Sequence, residues 1–149
     1  VQYRTQLFKY CSAAIDEYGI NDIFAGTAPA TVAGYRTTIA SYFTPSKKIY
    51  GTTLAPEAPT STDTWKTTIN QTTMANEANR KTFNALVVAG ISGETGYFDI
   101  ASAIDPNNTG KWPVNGTANY YTGDGVHETA PGAMLIVQKG VINVSALAR

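Results

Sequence analysis

Tyr10-Cys11-Ser12-Ala13-Ala14-Ile15-Asp16, running on into Glu17-Tyr18-Gly19-Ile20-Asn21-Asp22-Ile23, is the stretch that decides how this chain is read. A short apolar run ends in a Gly-x-Asn-Asp segment, whose glycine and Asx residues are turn formers. Residues 10–16 therefore predict a strand, and residues 17–28 predict a loop. Upstream, Tyr3, Leu7 and Phe8 fit one face of a helix end. Downstream, Val32, Tyr35, Ile39, Tyr42 and Phe43 recur in helical steps, so 31–43 predicts an amphipathic helix stopped by Pro45. Lys48 to Leu54 predicts the next strand, with Pro56 at its exit.

The alternation continues. Residues 55–74 form a long loop with Pro56, Pro59 and a Thr/Ser cluster, and loops of that length in compact domains are usually functional. Asn76 to Val88 predicts a helix with Ala78, Phe83, Leu86 and Val87 on its apolar face and Gly90 as its stop. Gly96 to Ala101 predicts a third strand, and 105–123 a second long loop. Pro131 to about Val141 predicts a last helix, capped by Thr129. Strands alternating with helices imply an α/β domain with a parallel sheet. Such sheets bind ligands beyond the carboxyl ends of their strands. That places loops 17–28, 55–74 and 105–130 on one rim, bringing Asn21 and His127 together.

Gly123-Asp124-Gly125-Val126-His127-Glu128-Thr129 holds the single histidine of the chain. Imidazole is the usual proton carrier near neutral pH. An Asp-x-x-His pair on one loop offers an imidazole and a carboxylate to orient it, two members of a Ser-His-Asp relay. The plain alternative is a turn in which the aspartate bonds backbone amides and the histidine is merely exposed.

Taken together, the Gly19-x-Asn21-Asp22 block and the late Asp124-x-x-His127 block, followed by a helix, resemble the SGNH (GDSL-type) hydrolases. The resemblance covers most of the chain. It implies a three-layer α/β/α fold with a flavodoxin-like parallel sheet, and a serine esterase or acylhydrolase acting on ester groups, O-acetyl groups among them, of a carbohydrate or lipid. It implies His127 as general base, Asp124 as its orienting partner and Asn21 as an oxyanion-hole donor, with Gly19 shaping that loop against the substrate. Two parts of the family pattern are missing, the Gly-Asp-Ser block on the first strand and a second oxyanion glycine block. None of Ser12, Ser41, Ser46, Ser61, Ser92, Ser102 and Ser145 has a Gly-Asp-Ser context. The expectation is that residues 1–149 are the C-terminal portion of one SGNH-like domain. Its nucleophile would come from an N-terminal segment of the same protein, cleaved off, carried on a separate chain or lying before Val1. Alone, such a portion is expected to be marginally stable. Two other readings stay open: a catalytically inactive SGNH-like domain binding carbohydrate or a partner, and an α/β interaction domain whose motifs match by chance.

Composition narrows the classes. Eleven basic and 11 acidic residues give no net charge, against the basic footprint that nucleic-acid binding needs. No segment approaches the ~20 apolar residues of a membrane span. Abundant Thr, Asn, Gly and Tyr fit a secreted or cell-surface protein, while the sequons at Asn70, Asn107, Asn115 and Asn143 are matches that chance supplies in a chain this rich in Asn and Thr. One cysteine, Cys11, excludes an internal disulfide, and its apolar setting predicts a buried thiol. One His and one Cys cannot supply a typical zinc set, and no cofactor is implied. Asp16 and Glu17 should face opposite sides of their strand, and Asp22 and Asp99 should be structural. Trp65, Trp112, Tyr120 and Tyr121 lie on the long loops, where they would either stack on sugar rings of an acetylated glycan or pack the loops down.

Overall fold

The computed structural model describes residues 10–43 and 47–148. Tyr3, Leu7, Phe8 and the Pro45 helix stop lie outside the described residues. The chain divides into two compact units. The first comprises Val1–Thr53, Asn79–Phe98 and Asn143–Arg149, and the second Leu54–Ala78 and Asp99–Ile142.

The first unit is mixed α/β around a three-stranded parallel sheet. Strand β1 (Ala13–Asp16) pairs with β2 (Lys48–Thr52) in the register Ala13↔Lys48 to Asp16↔Gly51. Strand β5 (Gly96–Phe98) pairs with the other edge of β2, from Tyr50↔Gly96 to Thr52↔Phe98. The order β1-β2-β5 makes β2 central. Its Ile49 is buried, and Tyr50 stacks on Phe98 with ring centroids 5.0 Å apart. All three strands lie where the sequence places them, each shorter than expected.

Helix α2 (Pro29–Ala40) joins β1 to β2, and α3 (Glu77–Ala89) precedes β5. The predicted face of α2 is corrected. The stripe Val32–Arg36–Ala40 is buried, while Tyr35 and Tyr42 are exposed. An i, i+4, i+8 row carrying an arginine is invisible to a hydrophobicity reading. Helix α3 likewise buries Arg80 with Phe83 and Val87. It ends at Gly90, whose φ of 101° and N–H bond to Leu86 O are those of a glycine stop. Cys11 is exposed, because it precedes β1 and stands outside the sheet. Asp16, the last residue of β1, is buried, and Glu17, just beyond the strand, is exposed.

The second unit has its own core, formed by Ala58, Ile100, Ile104, Trp112 and Ile136. Short strands β3 (Thr60–Ser61) and β4 (Gln71–Thr72) pair antiparallel. Helix α4 (Ile100–Ile104) starts at Asp99, whose carboxylate accepts the Ser102 N–H at 3.2 Å. Helix α5 (Ala130–Gln138) starts at the expected cap, Thr129. A last short helix, α6 (Val144–Leu147), belongs to the first unit. Among the described residues no helix is long and apolar enough to cross a membrane.

Candidate active site

Asp124 and His127 are brought into direct contact. His127 Nδ1 lies 2.8 Å from Asp124 Oδ2. The other oxygen, Oδ1, accepts the backbone N–H groups of Val126 and His127, both at 2.8 Å. One side chain thus makes both contacts, the carboxylate–amide bonds of a plain turn and the carboxylate–imidazole bond that a relay would use. With Nδ1 engaged, Nε2 is the nitrogen left for an external proton. The ring is 82% exposed and the carboxylate 54%.

The electrostatics follow from the contact. The His127 bond and the two amides hold the Asp124 carboxyl down at about 2. The same carboxylate raises His127 above the ordinary histidine value of 6.5, with smaller contributions from Glu128 and Glu57.

The turn that carries the pair is pinned at several points. Thr122 Oγ1 donates to His127 O and accepts the Gly125 N–H, each at 2.8 Å. Gly125 O accepts two donors, Ala58 N at 2.8 Å and Trp112 Nε1 at 2.9 Å. Only glycine fits position 125. Its φ is 75°, and a Cβ would stand 1.8 Å from Ala58 O. Beyond His127 the chain bridges Glu128 to Thr122 and enters α5 through the Thr129 cap.

The loop aromatics are largely packing groups. Trp112 is 1% exposed, in the core, where it cannot stack on a ligand. Trp65 is half-buried, and its Nε1 donates to Ala58 O at 2.9 Å. Tyr121 is half-buried against the core and meets Tyr120 edge-on, with centroids 4.8 Å apart. The two tryptophans therefore act on the Asp-His turn from beneath: Trp112 bonds Gly125 directly, and Trp65 bonds Ala58, which in turn bonds Gly125. Thr122 is the support of the Asp-His turn that sequence reasoning missed. A threonine in a Thr-rich chain carries no signal of its own.

Asn21 belongs to the first unit. It lies in the first turn of a short helix, α1 (Ile20–Phe24), where the sequence had predicted a loop. Asn21 is exposed, and its side-chain amide makes no hydrogen bond to any described residue, which leaves both amide protons available. Gly19 precedes α1, buried, with a φ of 126°. Burial and, after it, the nearby Asp22 carboxylate raise the Tyr18 hydroxyl above its ordinary value.

Among the described residues, no serine hydroxyl bonds the His127 ring, and no group of three or more His, Cys, Asp and Glu side chains could hold a metal. No protein-family model matches the chain, and no curated protein matches it.

Proposed function

We propose that this chain is the base-and-acid portion of a serine esterase of the SGNH type, acting on ester or O-acetyl groups of a carbohydrate or lipid. The observation that supports it most directly is the 2.8 Å contact between His127 Nδ1 and Asp124 Oδ2 on a pinned turn. In this reading His127 Nε2 takes the proton of a serine hydroxyl as that oxygen attacks the ester carbonyl. It then returns the proton to the leaving alcohol. Asp124 fixes the ring tautomer and steadies the imidazolium. The unengaged Asn21 amide donates to the developing oxyanion. Removing such a donor typically lowers the rate on the order of 10²–10³-fold. The serine comes from an N-terminal segment outside these residues, which also completes a three-layer, flavodoxin-like sheet.

The test is hydrolysis of a small activated ester by the protein carrying that segment. His127→Ala should remove most turnover, and Asn21→Ala should lower kcat with little change in KM. An active protein in which His127→Ala keeps near-normal turnover would refute the mechanism.

A further inference from the structure

Arg36 is fully buried on α2, yet neither nearby carboxylate is within hydrogen-bond distance. Asp16 Oδ1 is 3.9 Å from its Nε, and Glu94 Oε1 is 3.9 Å from its Nη1. The guanidinium donates to main-chain carbonyls instead. Nε donates to Tyr18 O at 2.7 Å, and Nη1 donates to Thr52 O at 2.9 Å. Phe83 covers its face, with 4.9 Å from the guanidinium carbon to the ring centroid. The carboxylates act on the guanidinium through charge alone, while its hydrogen bonds go to the backbone.

Tyr18 is the residue before Gly19, and it is gripped from both sides. Its C=O accepts from Arg36, and its N–H donates to Asp16 Oδ1 at 2.9 Å. Gly19 follows at a φ of 126°, so close to α2 that a Cβ would lie 2.7 Å from Val32 Cγ1. Gly19 O accepts the Ile23 N–H at 3.0 Å, which opens the short helix bearing Asn21. A chain of direct contacts within one unit therefore runs from Arg36 to Asn21. Arg36 also ties it to Thr52, the last residue of the central strand.

We infer that Arg36 is a positioning residue for Asn21, fixing the Tyr18 carbonyl against the end of β2 so that the Asn21 amide is presented at one place. The inference rests on the oxyanion role proposed for Asn21. Lysine cannot replace the arginine, because a single ammonium lacks the rigid fork that spans two carbonyls.

The test uses the protein with its nucleophile and an activated ester. Arg36→Lys and Arg36→Gln, where they melt cooperatively, should lower kcat by about tenfold to a hundredfold with KM unchanged. Arg36→Lys combined with Asn21→Ala should be no slower than Asn21→Ala alone, because one residue acts through the other. A folded Arg36→Lys protein of normal kcat, or losses that multiply in the double variant, would overturn the inference and leave the esterase reading standing. An Asn21→Ala protein of normal kcat would remove both. The wild-type protein offers a check that needs no variant. The Arg36 Nε–H should exchange slowly with deuterated water, and rapid exchange in the folded protein would equally overturn the inference.

Discussion

Asp124 accepts four hydrogen bonds with two oxygens, the fourth a long one from Thr122 Oγ1 to Oδ1 at 3.5 Å. Oδ1 serves the turn itself, through two backbone N–H groups and the Thr122 hydroxyl, and Oδ2 serves the imidazole. Asparagine at 124 keeps the first set and reverses the second, since its amide N–H would face Nδ1 and impose the wrong tautomer. Asp124→Asn should therefore leave the melting temperature almost unchanged while lowering kcat at least about a hundredfold. It should also bring the His127 pKa back toward 6.5, because the carboxylate is the first cause of its elevation. On the proposed mechanism the rise of kcat/KM with pH in the wild-type protein should accordingly be centred above 6.5, since only neutral imidazole accepts a proton. NMR titration of the single histidine and a pH–rate profile check both statements. Gly125→Ala is the opposite kind of change. With φ at 75° and a Cβ 1.8 Å from Ala58 O, it should cost more than about 2 kcal/mol in denaturant unfolding. At this scale the Asp-x-x-His contact was legible, because it is local and its chemistry is distinctive. The supports from Trp112, Trp65 and Ala58 were not legible, because they come from distant loops and no spacing announces them.

Helix α5 shows how an element sets the exit of the His127 turn. Thr129 Oγ1 accepts the Gly132 N–H at 3.4 Å and donates to Tyr120 O, while Thr129 N–H donates to Tyr121 O at 3.0 Å. One residue thus caps the helix and closes the loop behind the Asp124–His127 pair. Thr129→Ala should cost about 1–2 kcal/mol, and Thr129→Ser should restore most of it; chemical denaturation measures both. The cap was readable, because threonine followed by proline at the second helical position is a start signal. Helices α1, α4 and α6 were not. They have 5, 5 and 4 residues, too few for a period to show. The α2 face misled because arginine counts as polar in any pattern, whereas Arg36 is dry and bonded to carbonyls.

At the scale of the molecule, the loops 55–74 and 105–123 were read as excursions from a sheet, yet they help build a second unit with a core of its own. Trp112 is the largest side chain of that core, and a tryptophan within a Gly-, Asn- and Pro-rich loop gives no periodic sign of burial. The first unit carries a different burden, which governs how the whole chain responds to pH. Asp16, Arg36 and Glu94 are packed together, with Asp16 Oδ2, Arg36 Nη2 and both Glu94 oxygens lacking a hydrogen-bond partner among the described residues. Two carboxylates and one guanidinium leave a net negative charge in a dry site unless one carboxyl takes up a proton. Burial accordingly pushes Glu94 up to about 7 and raises Asp16, against the lowering effect of Arg36. A folded pKa above the unfolded value contributes stability that is complete below the unfolded pKa and is lost as pH rises through the folded one. For Glu94 that window runs from 4.5 to about 7, and the loss is at most on the order of 3 kcal/mol. Asp63 and Asp124 are depressed by their hydrogen bonds and act in the opposite direction, their contribution vanishing as pH falls below 3.8. Stability should therefore peak near pH ~4–5 and decline toward neutrality. Glu94→Gln removes the titrating carboxyl while keeping its shape, so it should flatten that decline and leave the protein more stable than wild type at pH 8. Melting curves from pH 4 to pH 8 for the two proteins decide the matter, and parallel profiles would show that the buried cluster does not take up the proton.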